Sequence, residues 1–180
     1  MKNLVIAACV ALVLAACSGD GSESATTTAT ADQDTTTTEA IPDATTTTAA
    51  IAVPDALADH DIDLVPVGDR LMLLAIADSP SLRAQGLKNV DDLEDLDGML
   101  FYWRHEAAGA FWMKDTLIPL DIVWFNEDGT YADRATMVPC DTDPCPTYSP
   151  AGGPDYRFAI ESEVGDLDWV NESTVIVYSD

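Results

Sequence analysis

The stretch Phe111-Trp112-Met113-Lys114-Asp115-Thr116-Leu117-Ile118-Pro119-Leu120-Asp121-Ile122-Val123-Trp124-Phe125 is where the fold is decided. Side chains alternate between the faces of a strand, so Trp112 and Lys114 share one face and Phe111 and Met113 the other. Large apolar groups on both faces predict a central strand over residues 110–114, with Lys114 at least half buried. After the connection at 116–119, Leu120, Ile122 and Trp124 share one face of a second strand, and Asp121 shares the other with Val123 and Phe125. A carboxylate among such neighbours is costly unless it is ion-paired or bonded to backbone amides. Cations are scarce, and Lys114 and Arg104 are the expected partners of Asp121. In that arrangement Lys114 and Asp121 lock the 116–119 connection in place, while Asp115 and Thr116 satisfy its backbone donors.

Outward from this stretch the pattern is mostly strand. Residues 62–67 and 71–76 are apolar runs around Gly68-Asp69, a pair suited to a tight hairpin because glycine accepts positive φ. Asp78, Ser79 and Pro80 read as a helix start, a polar cap followed by proline in the first turn, and the helix should stop near Gly86. Residues 91–97 are acidic, with Leu93 and Leu96 three apart, and predict a loop or one helical turn. Further strands are expected at 99–103, at 130–138 after the Asn126-Glu127-Asp128-Gly129 turn, at 156–161 and, closing the domain, at 174–178. One or two short helices and about eight strands predict an α+β, mainly β, domain on an antiparallel sheet that could close like a barrel.

The whole chain has 180 residues with 32 acidic and 8 basic side chains, a formal charge of −24. A protein that grips nucleic acid needs clustered Lys and Arg to displace counterions from phosphates, so nucleic acid is excluded as a partner. Four Trp, five Tyr and four Phe within a 47% hydrophobic composition supply enough apolar surface to offset the chain entropy of a folded domain. That domain is expected at residues 54–180, where 26 acids face 7 bases for a net −19.

Two segments of another kind precede it. Residues 1–16 read as an export signal, with Lys2 as the positive start and residues 4–14 as the short apolar run. Eleven residues of helix reach about 16 Å, half a bilayer core, so this is no permanent span. Leu14-Ala15-Ala16-Cys17 resembles the bacterial lipobox, which implies that Cys17 is lipidated and begins the mature chain; the alternative is an ordinary secretory signal. Residues 17–53 are rich in Thr, Ala, Ser, Asp and Glu, cannot bury a core, and read as a disordered stalk holding the domain about 30 Å from the lipid. The expected location is the cell membrane of a bacterial envelope, lipid-anchored on the extracytoplasmic face. In that compartment Cys140 and Cys145, around Asp141-Thr142-Asp143-Pro144, are expected to form a disulfide. The competing reading is a metal held by both sulfurs with Asp141 and Asp143, but structural zinc takes four ligands and no further His or Cys is near.

Gly86-Leu87, Gly98-Met99-Leu100-Phe101, residues 112–121, Asp128-Gly129 and Ile160-Glu161, in that order, resemble the recurring core of the domain of unknown function 192 (DUF192) family of small bacterial and archaeal proteins. Residues 112–121 differ from the family's usual form only at Asp115, where the family has Asn. Gln85-Gly86-Leu87-Lys88 stands where the family usually has Arg-Gly-Leu-Met, and Asn171-Glu172-Ser173 replaces its late glycine-aspartate turn. The resemblance covers most of residues 62–178. It implies a β-rich α+β fold and no particular activity.

Trp112, Lys114, Asp121 and Glu161, with Arg104 nearby, could together line a pocket: a flat ring for stacking, a cation for an acidic or carbonyl group, and two carboxylates for hydroxyls. A sugar or small polar metabolite would suit it. Glu161 also shares the polar side of its strand with Arg157, which fits an ordinary solvated pair. No cofactor is expected, because no phosphate loop, dinucleotide fingerprint or Gly-x-Ser-x-Gly elbow occurs. His60 and His105 lack a spaced second His, and Asp59-His60-Asp61-Ile62-Asp63 lacks the glycine and distant glutamate of a calcium loop, so no metal site is expected. These residues point to a non-enzymatic binding or accessory role in the envelope. The rival is a hydrolase or transferase acting on an envelope glycan or peptidoglycan, with Asp121 or Glu161 as general acid or base; both carboxylates would then reach one open position.

Overall fold

Asp61–Val67 (β1) and Arg70–Ala77 (β2) form the expected hairpin, turning through Gly68 at a φ of +58°. The structure, a computed structural model, describes residues 50–153 and 155–179. The expected export signal, Cys17 and nearly all of the Thr-rich stretch lie outside the described residues. After β2 the helix Pro80–Gln85 (α1) starts as the sequence predicts: Ser79 accepts from the Leu82 amide at 3.3 Å and proline fills the first turn. It stops at Gly86, whose positive φ takes the chain out of the helix.

The remaining strands are Gly98–Ala108 (β3), Phe111–Trp112 (β4), Leu120–Phe125 (β5), Tyr131–Met137 (β6), Thr147–Tyr148 (β7) and Asp155–Glu163 (β8). Six of them form one open sheet in the order β1-β2-β3-β8-β5-β6, antiparallel except between β2 and β3. The parallel step requires a crossover, and α1 with residues 86–97 supplies it. The sheet does not close as a barrel; β1 and β6 are its edges.

Both faces of the sheet are covered. On the front, Leu87, Val90, Leu93 and Leu96 of the crossover pack with Met113 onto Met99, Phe101, Ile122, Trp124 and Ala159. On the back, Leu167, Val170 and Ile176 of the C-terminal segment cover Leu100, Val123, Phe125, Phe158 and Ile160. This is why β5 is buried at all six positions and reads as a near-continuous apolar run. The acids of residues 91–97 serve the backbone: Asp97 accepts from the Leu73 amide and Asp95 from the Ala52 amide, both at 2.7 Å.

Two expected strands take another form. The predicted central strand at 110–114 shrinks to β4, which pairs only with β7 in a ribbon of its own. Asp115 adopts a φ of +64°, and the Met113 carbonyl accepts from the Thr116 and Cys140 amides, so the chain coils across the front face instead of joining the sheet. The closing strand at 174–178 is a strap over the back face, touching the sheet through single bridges, Val67 to Ile176 and Thr130 to Val175. Cys140 and Cys145 are linked in a disulfide between β6 and β7.

Gly98 shows what the central register demands. A Cβ added there would collide with the Glu161 carbonyl oxygen on β8, which is backbone and cannot swing aside. Gly98→Ala should therefore cost about 3 kcal/mol or more, the upper end for overpacking, read as a lowered urea midpoint at unchanged slope. An unchanged midpoint would contradict this close approach.

Candidate functional site

On the front face β3, β8 and the crossover enclose a cavity of about 380 Å³. Strand alternation places Met99, Phe101 and Trp103 of β3 on this side, and the register aligns Glu161 of β8 between Met99 and Ile122 of β5. Phe111 and Trp112 on β4 close the cavity from above, and Arg83, Gln85 and Lys88 line it from the α1 side. Phe101 and Phe111 meet edge to face with centroids 5.0 Å apart, as do Trp103 and Tyr156 at 5.2 Å, so the aromatic walls brace one another.

Glu161 is 5% exposed. No hydrogen bond or ion pair among the described residues engages its carboxyl, and burial alone pushes its pKa up to about 8. At neutral pH it is a protonated acid able to donate a hydrogen bond. Tyr156 is pushed up to about 12, mainly by burial, and its hydroxyl donates to the Gly109 carbonyl at 3.4 Å. Arg83 lies 5.0 Å above the Trp103 ring and donates to the Tyr102 carbonyl at 2.8 Å and to the Asp78 carbonyl. Lys88 donates to the Ala84 carbonyl at 2.8 Å and stands 5.7 Å from the Trp112 ring.

Of the residues singled out from sequence, Trp112 and Glu161 come together in this cavity and three do not. Lys114 stands beyond Trp112, 5.7 Å from its ring, in a neighbouring hollow beside the disulfide loop. Arg104 is exposed on β3 and lines no part of the cavity. Asp121 faces the back of the sheet, where it accepts from Thr136 Oγ1 at 2.6 Å and from the Gly165 amide at 2.9 Å, with Arg134 at 3.7 Å. The expected pairing of Asp121 with Lys114 or Arg104 is therefore replaced by Thr136, Gly165 and Arg134. Alternation put Asp121 on the right side of its strand, but Lys114 is not in the sheet at all. The expected solvated pair of Glu161 with Arg157 also fails: β8 is a central strand, and Arg157 donates to the Trp103 carbonyl at 3.2 Å and the Tyr102 hydroxyl at 3.1 Å.

Trp112 itself is 48% exposed, a lid of the cavity rather than part of the core. Among the described residues no group of three or more His, Cys, Asp or Glu is placed to hold a metal ion. His60 is buried, and both of its ring nitrogens lack a hydrogen-bond partner among the described residues.

The profile of the domain of unknown function 192, described as an uncharacterized ACR, matches residues 65–173. The chain belongs to the DUF192 family. Among solved structures, a protein of unknown function from Novosphingobium aromaticivorans DSM 12444 is 26% identical, with a TM-score of 0.59 over 73% of this chain and 94% of that one. A proposed transcription regulator from Sinorhizobium meliloti 1021 is 24% identical, with a TM-score of 0.54 over 66% of this chain and 94% of that one, and shares the fold. No curated protein matches. Four of the five DUF192 elements quoted from the sequence reach this cavity, through Gly86-Leu87, Phe101, Trp112, Thr116 and Glu161; the Asp128-Gly129 turn lies elsewhere, against Val175 and Ile176.

Missed in the sequence were Arg83, Lys88, Trp103 and Tyr156. Trp103 was within reach, since it follows Phe101 by two and shares its face. Arg83 and Lys88 carried no signal beyond being two of only seven cations in residues 54–180.

The buried acid makes stability depend on pH in a definite direction. The unfolded chain releases this proton near pH 4.5, whereas the folded domain keeps it to about pH 8. Its contribution is complete below pH 4.5 and is lost as pH rises to 8, at roughly 1 kcal/mol per pH unit. Glu161→Gln keeps the volume and removes the titration. Urea unfolding at pH 5, 6.5 and 8 should show wild type weakening more across the series than the variant; parallel losses in both would refute the assignment.

Proposed function

We propose that this DUF192 protein is a lipid-anchored, extracytoplasmic binding protein of the bacterial envelope, and that it takes a small polar ligand into the cavity beneath Trp112. The observation that carries this reading is Glu161: a buried acid, unpartnered among the described residues, at the edge of an aromatic-walled space. Leaving a buried polar group unpaired costs roughly 1–3 kcal/mol, and a ligand with a matching donor or acceptor removes that penalty. The aromatic walls offer flat apolar surface, and the carboxyl fixes orientation, the usual division of labour in a small-molecule site.

Binding is favoured over hydrolysis or group transfer by the sheet itself. Asp121 and Glu161 project from opposite faces, so the pair of carboxylates that glycoside hydrolysis ordinarily uses does not converge on one open position. For the anchor, the support is Leu14-Ala15-Ala16-Cys17 behind an apolar run too short to span a bilayer. Among the described residues no helix is long and apolar enough to cross a membrane.

Two experiments test the two halves. In a thermal-shift screen of sugars, peptidoglycan fragments and small polar metabolites, at least one compound should raise the melting temperature. Trp112→Ala should then weaken that compound by up to about tenfold, the worth of one aromatic contact, while the half-exposed position leaves folding intact. No stabilising compound, or a variant that binds equally well, would overturn the cavity reading. Separately, Cys17→Ala should move the protein out of the membrane fraction; retention there would overturn the anchor.

A further inference from the structure

The cavity joins two kinds of group that rarely meet without neutralising each other. In residues 54–180 acids outnumber bases 26 to 7, yet two of the seven bases, Arg83 and Lys88, line this one space, and a third, Lys114, stands over its Trp112. Arg83 and Lys88 are held in place by backbone carbonyls and by the Trp103 and Trp112 rings. Neither forms an ion pair with Glu161, which lines the same space without a counter-charge. The site is therefore bipolar, with fixed cations and a separate carboxyl, joined by aromatic walls.

Resting on the reading of this cavity as a ligand site, we propose that its ligand is a small zwitterion of the amino-acid type. Its carboxylate sits with Arg83 and Lys88, its ammonium with Glu161, and its body lies against Trp103 and Phe111. A simple anion would leave Glu161 unpartnered. A simple cation would leave Arg83 and Lys88 unanswered. A neutral sugar would leave both cations unused. The aromatic rings that line the cavity with Glu161 add attraction for an ammonium, since ring quadrupoles favour cations, more so where water is excluded. A volume of about 380 Å³ lies at the small end for ligand pockets, as a metabolite of this size requires.

The proposal has a signature in protons. Glu161 is flanked in the sheet by Met99 and Ile122, which do not titrate, and the other charged or titratable groups lining the cavity are Arg83, Lys88 and Tyr156. Burial raises the Glu161 carboxyl toward the neutral range, so Glu161 is the group that changes state when the ligand arrives. An ammonium ionises it and releases one proton per ligand bound; a neutral or anionic ligand releases none.

The test is calorimetric titration of the full chain at pH 7 with the twenty common amino acids, each beside its N-acetyl and its carboxamide form, in two buffers of different ionisation heat. At least one free amino acid should bind with release of nearly one proton. Glu161→Gln should abolish the release and weaken binding more than about tenfold, the worth of a charge-assisted hydrogen bond. Lys88→Ala should weaken the free amino acid but not its carboxamide. Binding without proton release, or binding unchanged in Glu161→Gln, would overturn the proposal. If no amino acid binds while another compound of the screen does, and Trp112→Ala weakens that compound, the zwitterion is wrong and the ligand cavity stands. If nothing binds at all, both fail.

Discussion

The constraint on which the rest depends is that both faces of the six-stranded sheet are covered by chain that is not sheet. The crossover between β2 and β3 covers the front, and the segment after β8 covers the back. Once that is so, the central stretches of β3, β8 and β5 have no solvated side, and a polar residue buried there needs a partner inside the protein or carries a cost. Ser162 does, donating to the Asp97 carbonyl at 2.6 Å and so tying β8 to the end of the crossover. Asp121 does so too, and in a way that builds the fold. Its carboxylate joins β6 through Thr136 to the turn after β8 through the Gly165 amide, and Arg134 beside it reaches on to Asp168. One buried acid thereby fastens the start of the back covering to the sheet, and the bridges at Val175 and Ile176 fasten its end.

Glu161 answers the same constraint differently. It is one residue along β8 from Ser162 and lies in register beside Ile122, the neighbour of Asp121, yet no comparable set of donors reaches it. An ionised carboxylate at this depth would cost several kcal/mol, so the group holds its proton instead. A neutral acid in an aromatic-walled space still costs more than an alanine or leucine would. A residue that breaks a local rule without a structural return is where function is to be sought. The contrast between these two acids, alike in sequence setting, separates the part of this chain that holds the fold from the part that is open to a ligand.

Much of this was legible in the amino-acid sequence, and the limits are physical. The hairpin at Gly68-Asp69, the Ser79-Pro80 helix start and the six residues of β5 rest on local rules of turn, cap and alternation, and the structure agrees. Alternation also set Asp121 beside Val123 and Phe125 on one face. What alternation cannot tell is which strands stand side by side. Residues 110–114 have the pattern of a central strand, but a two-residue ribbon with one buried methionine satisfies the same pattern. Val175-Ile176-Val177 has the β-branched composition of a strand, and a strap with two bridges buries its central residue equally well. Glu161 looked solvated because its alternation with apolar neighbours suits an edge strand. Its burial follows from the order β3-β8-β5, a matter of contacts far apart in the chain. The cations of the site were hidden for a related reason. Gln85 occupies the place where the family usually carries arginine, and Lys88, three residues on, lines the same cavity, so the charge is displaced along the chain but kept at the site.

The covering of the cavity also links the site to the chemistry of its surroundings. The backbone of Trp112 is held at the cavity by β4, two residues that pair with Thr147-Tyr148 of β7. A ribbon so short cannot stand alone, because isolated two-stranded pairs are marginal even at greater length. Its far end is secured by the disulfide: Cys140 donates its amide to the Met113 carbonyl and bridges to Lys114, and Cys145 sits two residues before β7. The bond shortens the path from β6 back to β4 and holds Thr147 and Tyr148 where they can pair. Such a bond persists only where thiols are kept oxidised. A well-formed lid therefore depends on Cys140 and Cys145 staying oxidised, which ties the tryptophan over the cavity to the redox state of its surroundings.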